Sequence, residues 1–205
     1  AQVVYEEGIG FPILLGKKDV ILKLKKELGF DADVPIIDPK TPEEEARRNK
    51  FANAYWMSRQ RRGISLFDAQ NLMRERNYFA AMMVNQGEAD ALLSGYSRSY
   101  PSVVKPMLQL IDKEPGVSLI ATTNLMMTSR GPMFLSDTAI NTNPTAEELA
   151  KIAIMTAKVA KSFGVAPVIA MISFSNFGSS TNDSATKVRE AVEYLHKHYP
   201  QMIID

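Results

Sequence analysis

The stretch richest in chemistry is residues 168–180, VIAMISFSNFGSS, where an apolar, β-branched run gives way to hydroxyls, an amide and a glycine. Ser173, Ser175, Asn176, Gly178, Ser179 and Ser180 supply short donors, and Gly178 allows backbone to approach a ligand closely. A buried strand that opens into such a loop places it at the carboxyl edge of a sheet, where open α/β folds bind ligands. Free N–H groups at the start of a following helix favour an anion such as phosphate. The same residues serve equally well as a polar loop that caps that helix, so the loop alone does not decide between the two.

A second stretch, 94–106 (SGYSRSYPSVVKP), begins with glycine after an apolar run and offers Ser97, Arg98, Ser99, Tyr100, Ser102 and Lys105. Arg brings a bidentate fork to a phosphate and Lys a compact charge. Basic charge at a helix start opposes the helix dipole, which favours an anion-binding role over mere solubility. Arg59, Arg61 and Arg62 form a third cluster, with Tyr55 and Trp56 nearby as stacking surfaces. Most such charge runs are solvated faces, and one of these arginines is expected to reach a ligand. In SDTAINTNP (136–144), Asp137, Asn141 and Asn143 either line a cleft or build a turn for local reasons, and the turn reading is preferred here. Asp90, Asp137, Asp183 and Glu88 have no spacing that signals a metal or a carboxylate pair. The methionines at 82, 83, 107, 126, 127, 133, 155 and 171 read as core filler.

The elements that must position these groups alternate between helix and strand. Residues 18–28 place Val20, Ile21, Leu24 and Leu28 at helical spacing, with Gly29 as a stop. Thr41, Ser65 and Thr145 each precede an acidic residue three positions on, the pattern of a capping box. Residues 12–16, 34–38, 89–95, 117–125, 133–137 and 168–174 read as strands, and Ser129-Arg130-Gly131-Pro132 turns one into the next as a hairpin. This alternation predicts an α/β fold with a largely parallel sheet and an antiparallel part. The composition change at DKEPG (112–116) divides it into a first lobe, 1–114, and a second, 115–205.

Bulk composition excludes several classes. The chain of 205 residues has a net charge of +1, so no global field draws it to nucleic acid or to a membrane. It holds no cysteine, which removes disulfides, thiol nucleophiles and Cys-based zinc sites and fits a cytoplasmic location. Its two histidines, His196 and His198, lie together at a polar helix end, which argues against a histidine triad or metal cluster. No apolar run approaches the ~20 residues of a membrane span. The ends, AQVVYEEG and MIID, read as a piece of a longer polypeptide.

Taken in order, several stretches resemble the phosphate acetyltransferase (phosphotransacetylase) family over essentially the whole chain. GIGFPILLG (8–16) is similar to that family's GIA-x-PILLG opening. Residues 76–84 with GEADALLSG (87–95) resemble its YFG-x-MMV…G-x-ADG-x-VSG signature. SDTAINTNPTAEELAKIA (136–153) resembles GDCAVNPNPTAEQLAEIA, and AMISFSNFGSS (170–180) resembles AMLSYST-x-GSS. The nearer resemblance is to the branch fused to the C-terminus of large bacterial NADP-dependent malic enzymes. It implies a two-lobed, three-layer αβα fold of the isocitrate/isopropylmalate dehydrogenase type, here lacking both ends, in which coenzyme A and acetyl phosphate meet between the lobes.

The departures are informative. Where free-standing members carry G-x-x-HSTADTLRP, this chain has GYSRSYPSVVKP. Arg98 stands at the histidine position, Tyr100 at the threonine, and Lys105 at the substrate-gripping arginine. Lysine keeps the charge and loses the fork. The phosphate-side arginine of the family's LRKHKG segment maps onto Arg59. The family's catalytic Ser-Arg pair and later Asp would fall beyond Asp205, so no catalytic residue is expected within the chain and the segment alone is expected to be inactive. The resemblance thus implies an acyl-CoA-sensing regulatory domain. Its ligand set is Arg59, Ser97, Arg98, Ser99, Lys105, Asp137, Asn141, Ser173, Ser175, Gly178 and Ser179, for acetyl-CoA or a related acyl-CoA and phosphate. It also implies an upstream malic enzyme domain that holds NADP and Mg or Mn, and a homodimer. An active acetyltransferase and a structural oligomerisation module are the two other readings.

Overall fold

A computed structural model describes residues 1–96, 98–176 and 179–205, so Ser97 and Gly178 of the expected ligand set lie outside the described residues. The chain divides into two units, Ala1–Asp112 and Lys113–Asp205.

The first unit is mostly helical. After α1 (Gln2–Glu6), the short strand β1 (Leu14–Leu15) pairs in parallel with β2 (Ile36–Ile37), and α2 (Lys18–Glu27) is the crossover that a parallel pair requires. Then come α3 (Glu45–Arg59), α4 (Leu66–Leu72), α5 (Arg76–Asn85) and α6 (Tyr100–Leu110). The core is built around α5, whose residues Tyr78 to Met83 are all buried, so this helix is apolar on every side. Phe51, Tyr55 and Met73 from α3 and the end of α4 close over it, and the Phe51 and Phe79 rings lie 5.2 Å apart.

The second unit has a hairpin, β3 (Thr123–Thr128) and β4 (Gly131–Ser136), followed by α7 (Ala146–Ser162), β5 (Val168–Ile169), α8 (Asp183–His198) and β6 (Ile203–Ile204). β5 pairs in parallel with β6, and α7 packs on α8 around Ala150, Ala153 and Leu195. A run of hydroxyls fastens the hairpin to α7. Thr156 Oγ1 donates to the Ile152 carbonyl at 2.8 Å, so it accepts from Ser136 Oγ, which in turn accepts from Thr123 Oγ1 at 2.7 Å. That chain fixes the end of β4, one residue before Asp137.

Several expectations change. The fold is mixed α/β, but among the described residues its strands form three two-stranded sheets rather than one largely parallel sheet. Residues 89–95 run without strand pairing, and the pairing expected over 168–174 is assigned only at Val168 and Ile169. Hydrogen bonds from Met171 N to Asp205 O and from Asp205 N to Ile169 O carry that ladder slightly further. The capping boxes at Ser65 and Thr145 form. The one at Thr41 does not: its hydroxyl donates to the Asp38 carbonyl at 3.2 Å, and Pro42–Glu44 makes a tight turn before α3 begins. Met82 and Met83 are core residues, whereas Met126, Met127 and Met133 are exposed on the hairpin, because a two-stranded ribbon covers little of its own surface.

Candidate functional site

Among the described residues, expected ligand residues line a cleft in each unit. In the first, Arg59 at the end of α3 lines a space of about 300 Å³ together with Tyr55, Asn85, Gln109 and Asp112. Gly63, left-handed at φ +83°, ends the turn that carries Arg61 and Arg62 away from α3. The Arg59 guanidinium donates to the Gln109 backbone carbonyl, near the C-terminal end of α6, where helix carbonyls lack intrahelical partners.

Arg98 and Ser99 lie at the other end of α6. Ser99 is the residue before the first turn, with extended backbone and no side-chain capping bond, and Arg98 beside it is exposed. Ten residues of helix separate Ser99 from Gln109, roughly 15 Å at the α-helical rise. Lys105 lies between them, exposed and without an ion-pair partner among the described residues. The expected basic set therefore does not converge within this unit: Arg59 serves one end of α6 and Arg98 the other. The entry to α6 is held instead by Asn77, which sequence reasoning missed. Its amide donates to the Ser102 carbonyl at 3.1 Å and its Oδ1 accepts from Ser94 Oγ at 2.8 Å.

Two buried phenols frame the Gln109 side. Burial pushes the Tyr55 hydroxyl above its usual range, and it pushes Tyr78 further, to about 12, with neighbouring Tyr55 adding to the effect. Both stay neutral donors at ordinary pH. Glu88, another residue without an assigned role from sequence, bridges Arg47 at 3.2 Å and Lys50 at 3.4 Å.

In the second unit, Asp137 and Ser173 come together in a cleft of about 250 Å³ with Lys187 and Ser184 of α8. Ser173 Oγ donates to the Ser175 carbonyl at 2.9 Å and accepts from Ser175 N at 3.1 Å, so this hydroxyl shapes its own loop. Ser175 and Ser179 pair hydroxyl to hydroxyl at 3.1 Å. Asn182 caps α8 by accepting from Ser184 N at 2.9 Å. The cap of α8 thus comes from Asn182, just beyond 168–180, while Ile172, Ser173 and Phe174 of that stretch border the cleft. Asn141 acts as a tether, donating to the Ile120 carbonyl at 3.2 Å. Lys187, which no sequence pattern marked, donates to Asn143 Oδ1 at 2.7 Å and so joins α8 to the loop after β4.

Comparison with known proteins gives this geometry a context. The family model for phosphate acetyl/butaryl transferase matches residues 1–205. A phosphate acetyltransferase of Helicobacter pylori is 36% identical over 194 residues, covering 94% of this chain and 37% of that protein. An NADP-dependent malic enzyme of Haemophilus influenzae is 34% identical over 209 residues, covering 100% of this chain and 27% of that protein. A phosphotransacetylase crystal structure from Streptococcus pyogenes superposes with a TM-score of 0.81 at 36% identity, over 98% of this chain and 61% of that one. The chain thus spans well under half the length of these two relatives.

Proposed function

The chain belongs to the phosphate acetyl/butaryl transferase family, and from that premise we propose that it is an acyl-CoA-binding, phosphotransacetylase-like domain with a regulatory role in an NADP-dependent malic enzyme. The observation that carries this reading is segment 98–105. Arg98, Tyr100 and Lys105 replace the histidine, threonine and arginine expected of free-standing members, and all three are exposed. A lysine in place of a fork holds phosphate geometry loosely, which suits a binding site better than a group-transfer site. The parent would oxidatively decarboxylate malate to pyruvate with NADP and Mg or Mn held by residues outside this chain. Acetyl-CoA would shift the assembly only if it binds the active and inactive forms with different affinity. Malate oxidation by the full-length protein, measured with and without acetyl-CoA, tests this: a changed rate supports it, and an unchanged rate with no binding ends it. On this reading the whole protein is a cytoplasmic homo-oligomer, with its short strands completed into a three-layer αβα architecture of the isocitrate/isopropylmalate dehydrogenase type.

A second reading is an active phosphate acetyltransferase that moves acetyl between phosphate and coenzyme A. It draws on the 36% identity to the Helicobacter enzyme and on the TM-score of 0.81 to the streptococcal phosphotransacetylase. Acetyl-CoA formation from acetyl phosphate and coenzyme A by the full-length protein would favour it over the regulatory reading.

A further inference from the structure

Pro106 sits inside α6, where its ring nitrogen carries no hydrogen. The Ser102 carbonyl, four residues earlier, therefore lacks the donor that an uninterrupted helix would give it. The amide of Asn77 fills that place, donating to the Ser102 carbonyl at 3.1 Å. Pro106 is fully buried, so the break in the helix is anchored in the core.

The other half of the Asn77 side chain reaches the opposite flank of the same segment, where its Oδ1 accepts from Ser94 Oγ at 2.8 Å. One carboxamide thus joins Ser94 to Ser102, and Gly95, Tyr96, Arg98 and Ser99 between them are exposed. Gly95, at φ +137°, takes the chain out of this clasp, and Arg98 N donates back to its carbonyl at 3.4 Å. On the far side, Ser102 donates twice to the Ser99 carbonyl, from its N–H at 3.1 Å and from its hydroxyl at 2.7 Å. Asn77 itself is half-buried at the second position of α5, directly before the buried run Tyr78 to Met83. The clasp therefore hangs from the best-packed helix of the unit.

Repair of the proline break needs only the bond to Ser102. The bond to Ser94 adds nothing to α6; it closes the base of the stretch that carries Arg98 and Ser99. An exposed stretch left free would lose that freedom on binding, so ordering it beforehand favours a ligand.

We propose that Asn77 is a positioning residue for anion binding by this segment, holding Ser94 and Ser102 together so that Arg98, Ser99 and Lys105 are presented to a phosphate group. The inference rests on the reading of segment 98–105 above and adds to it a residue that acts through the segment.

Calorimetric titration of the whole chain with acetyl phosphate and, separately, with coenzyme A tests this and tells apart the two sources of the phosphate. Asn77→Ala should weaken whichever ligand Lys105→Met weakens by about fivefold, the order of one net hydrogen bond of lost support. Ser94→Ala leaves the Ser102 bond intact and should weaken the same ligand by about twofold; this change at an exposed residue keeps the test open should Asn77→Ala fold poorly. Combining Asn77→Ala with Lys105→Met should cost less affinity than the product of the two single losses, because a displaced segment has already given up the Lys105 contact. Lost stability alone does not produce that coupling. Full affinity in both Asn77→Ala and Ser94→Ala, or single losses that simply multiply, overturns the positioning role while the ligand reading stands. Failure of the unaltered chain to bind either ligand, or Lys105→Met leaving both unchanged, overturns the reading of the segment and the positioning role together.

Discussion

Tyr55 and Tyr78 donate to one acceptor, Gln109 Oε1, at 2.9 and 2.8 Å, with their rings edge-on and 5.8 Å apart. Tyr55 comes from α3, Tyr78 from α5 and Gln109 from α6, so three helices meet at a single amide oxygen. The Gln109 main-chain carbonyl takes Arg59 as well. This residue therefore organises the first unit's cleft from both its side chain and its backbone.

Gln109→Leu should cost about 2 kcal/mol, because it strands two hydroxyls that burial has removed from water. Urea denaturation of the variant against the parent measures it. The Arg59 bond to the main chain survives the change, so the loss is expected to fall on stability and to spare any anion affinity that Arg59 provides.

Tyr78 makes the fold sensitive to alkali. Its pKa rises from the ordinary 10.0 to about 12 mainly through burial, so the folded state favours the neutral phenol. The stabilisation is complete below pH 10 and is lost as pH climbs through 12. Denaturation midpoints taken across that window should fall for the parent chain and fall less for Tyr78→Phe. Identical slopes in the two proteins would show that the phenol does not titrate this way.

Thr145→Ala should destabilise by about 1 kcal/mol, because its hydroxyl accepts from Glu148 N at the start of α7. Thr41→Ala should cost less than half as much, because that hydroxyl caps no helix. Paired melting curves decide the matter, and equal losses would contradict the assigned bonding.

The contrast between these threonines shows what is legible in the sequence. Ser65 and Thr145 obey their motif because a cap and its acceptor are three residues apart and nothing else competes. Thr41 is spelled the same way, but the Asp38 carbonyl takes its hydroxyl and buried Arg48 donates to the Pro39 and Thr41 carbonyls. The hairpin was readable because Arg130-Gly131-Pro132 marks its own turn. Residues 89–95 have a strand's composition, yet pairing depends on a partner that local sequence does not name. The same limit governs the sites. Asp137 and Ser173 could be named by type, and the structure places them in one cleft. Lys187, on a helix whose rotation follows from packing on α7, could not be named, and neither could the amide of Gln109 that two tyrosines share.

Lys105→Arg returns the fork that the family motif carries. Acetyl phosphate should then bind about threefold more tightly, the order expected when a point charge becomes a bidentate pair. Competition against inorganic phosphate reads this directly, and an unchanged or weaker affinity would show that residue 105 does not contact the anion.

The claim underlying this account is that the chain recognises an acyl-CoA. Isothermal calorimetry of acetyl-CoA into the whole chain is its most direct measurement. The account predicts saturable heat at one site per chain, displaced by coenzyme A. A flat titration that stays flat with coenzyme A would contradict it.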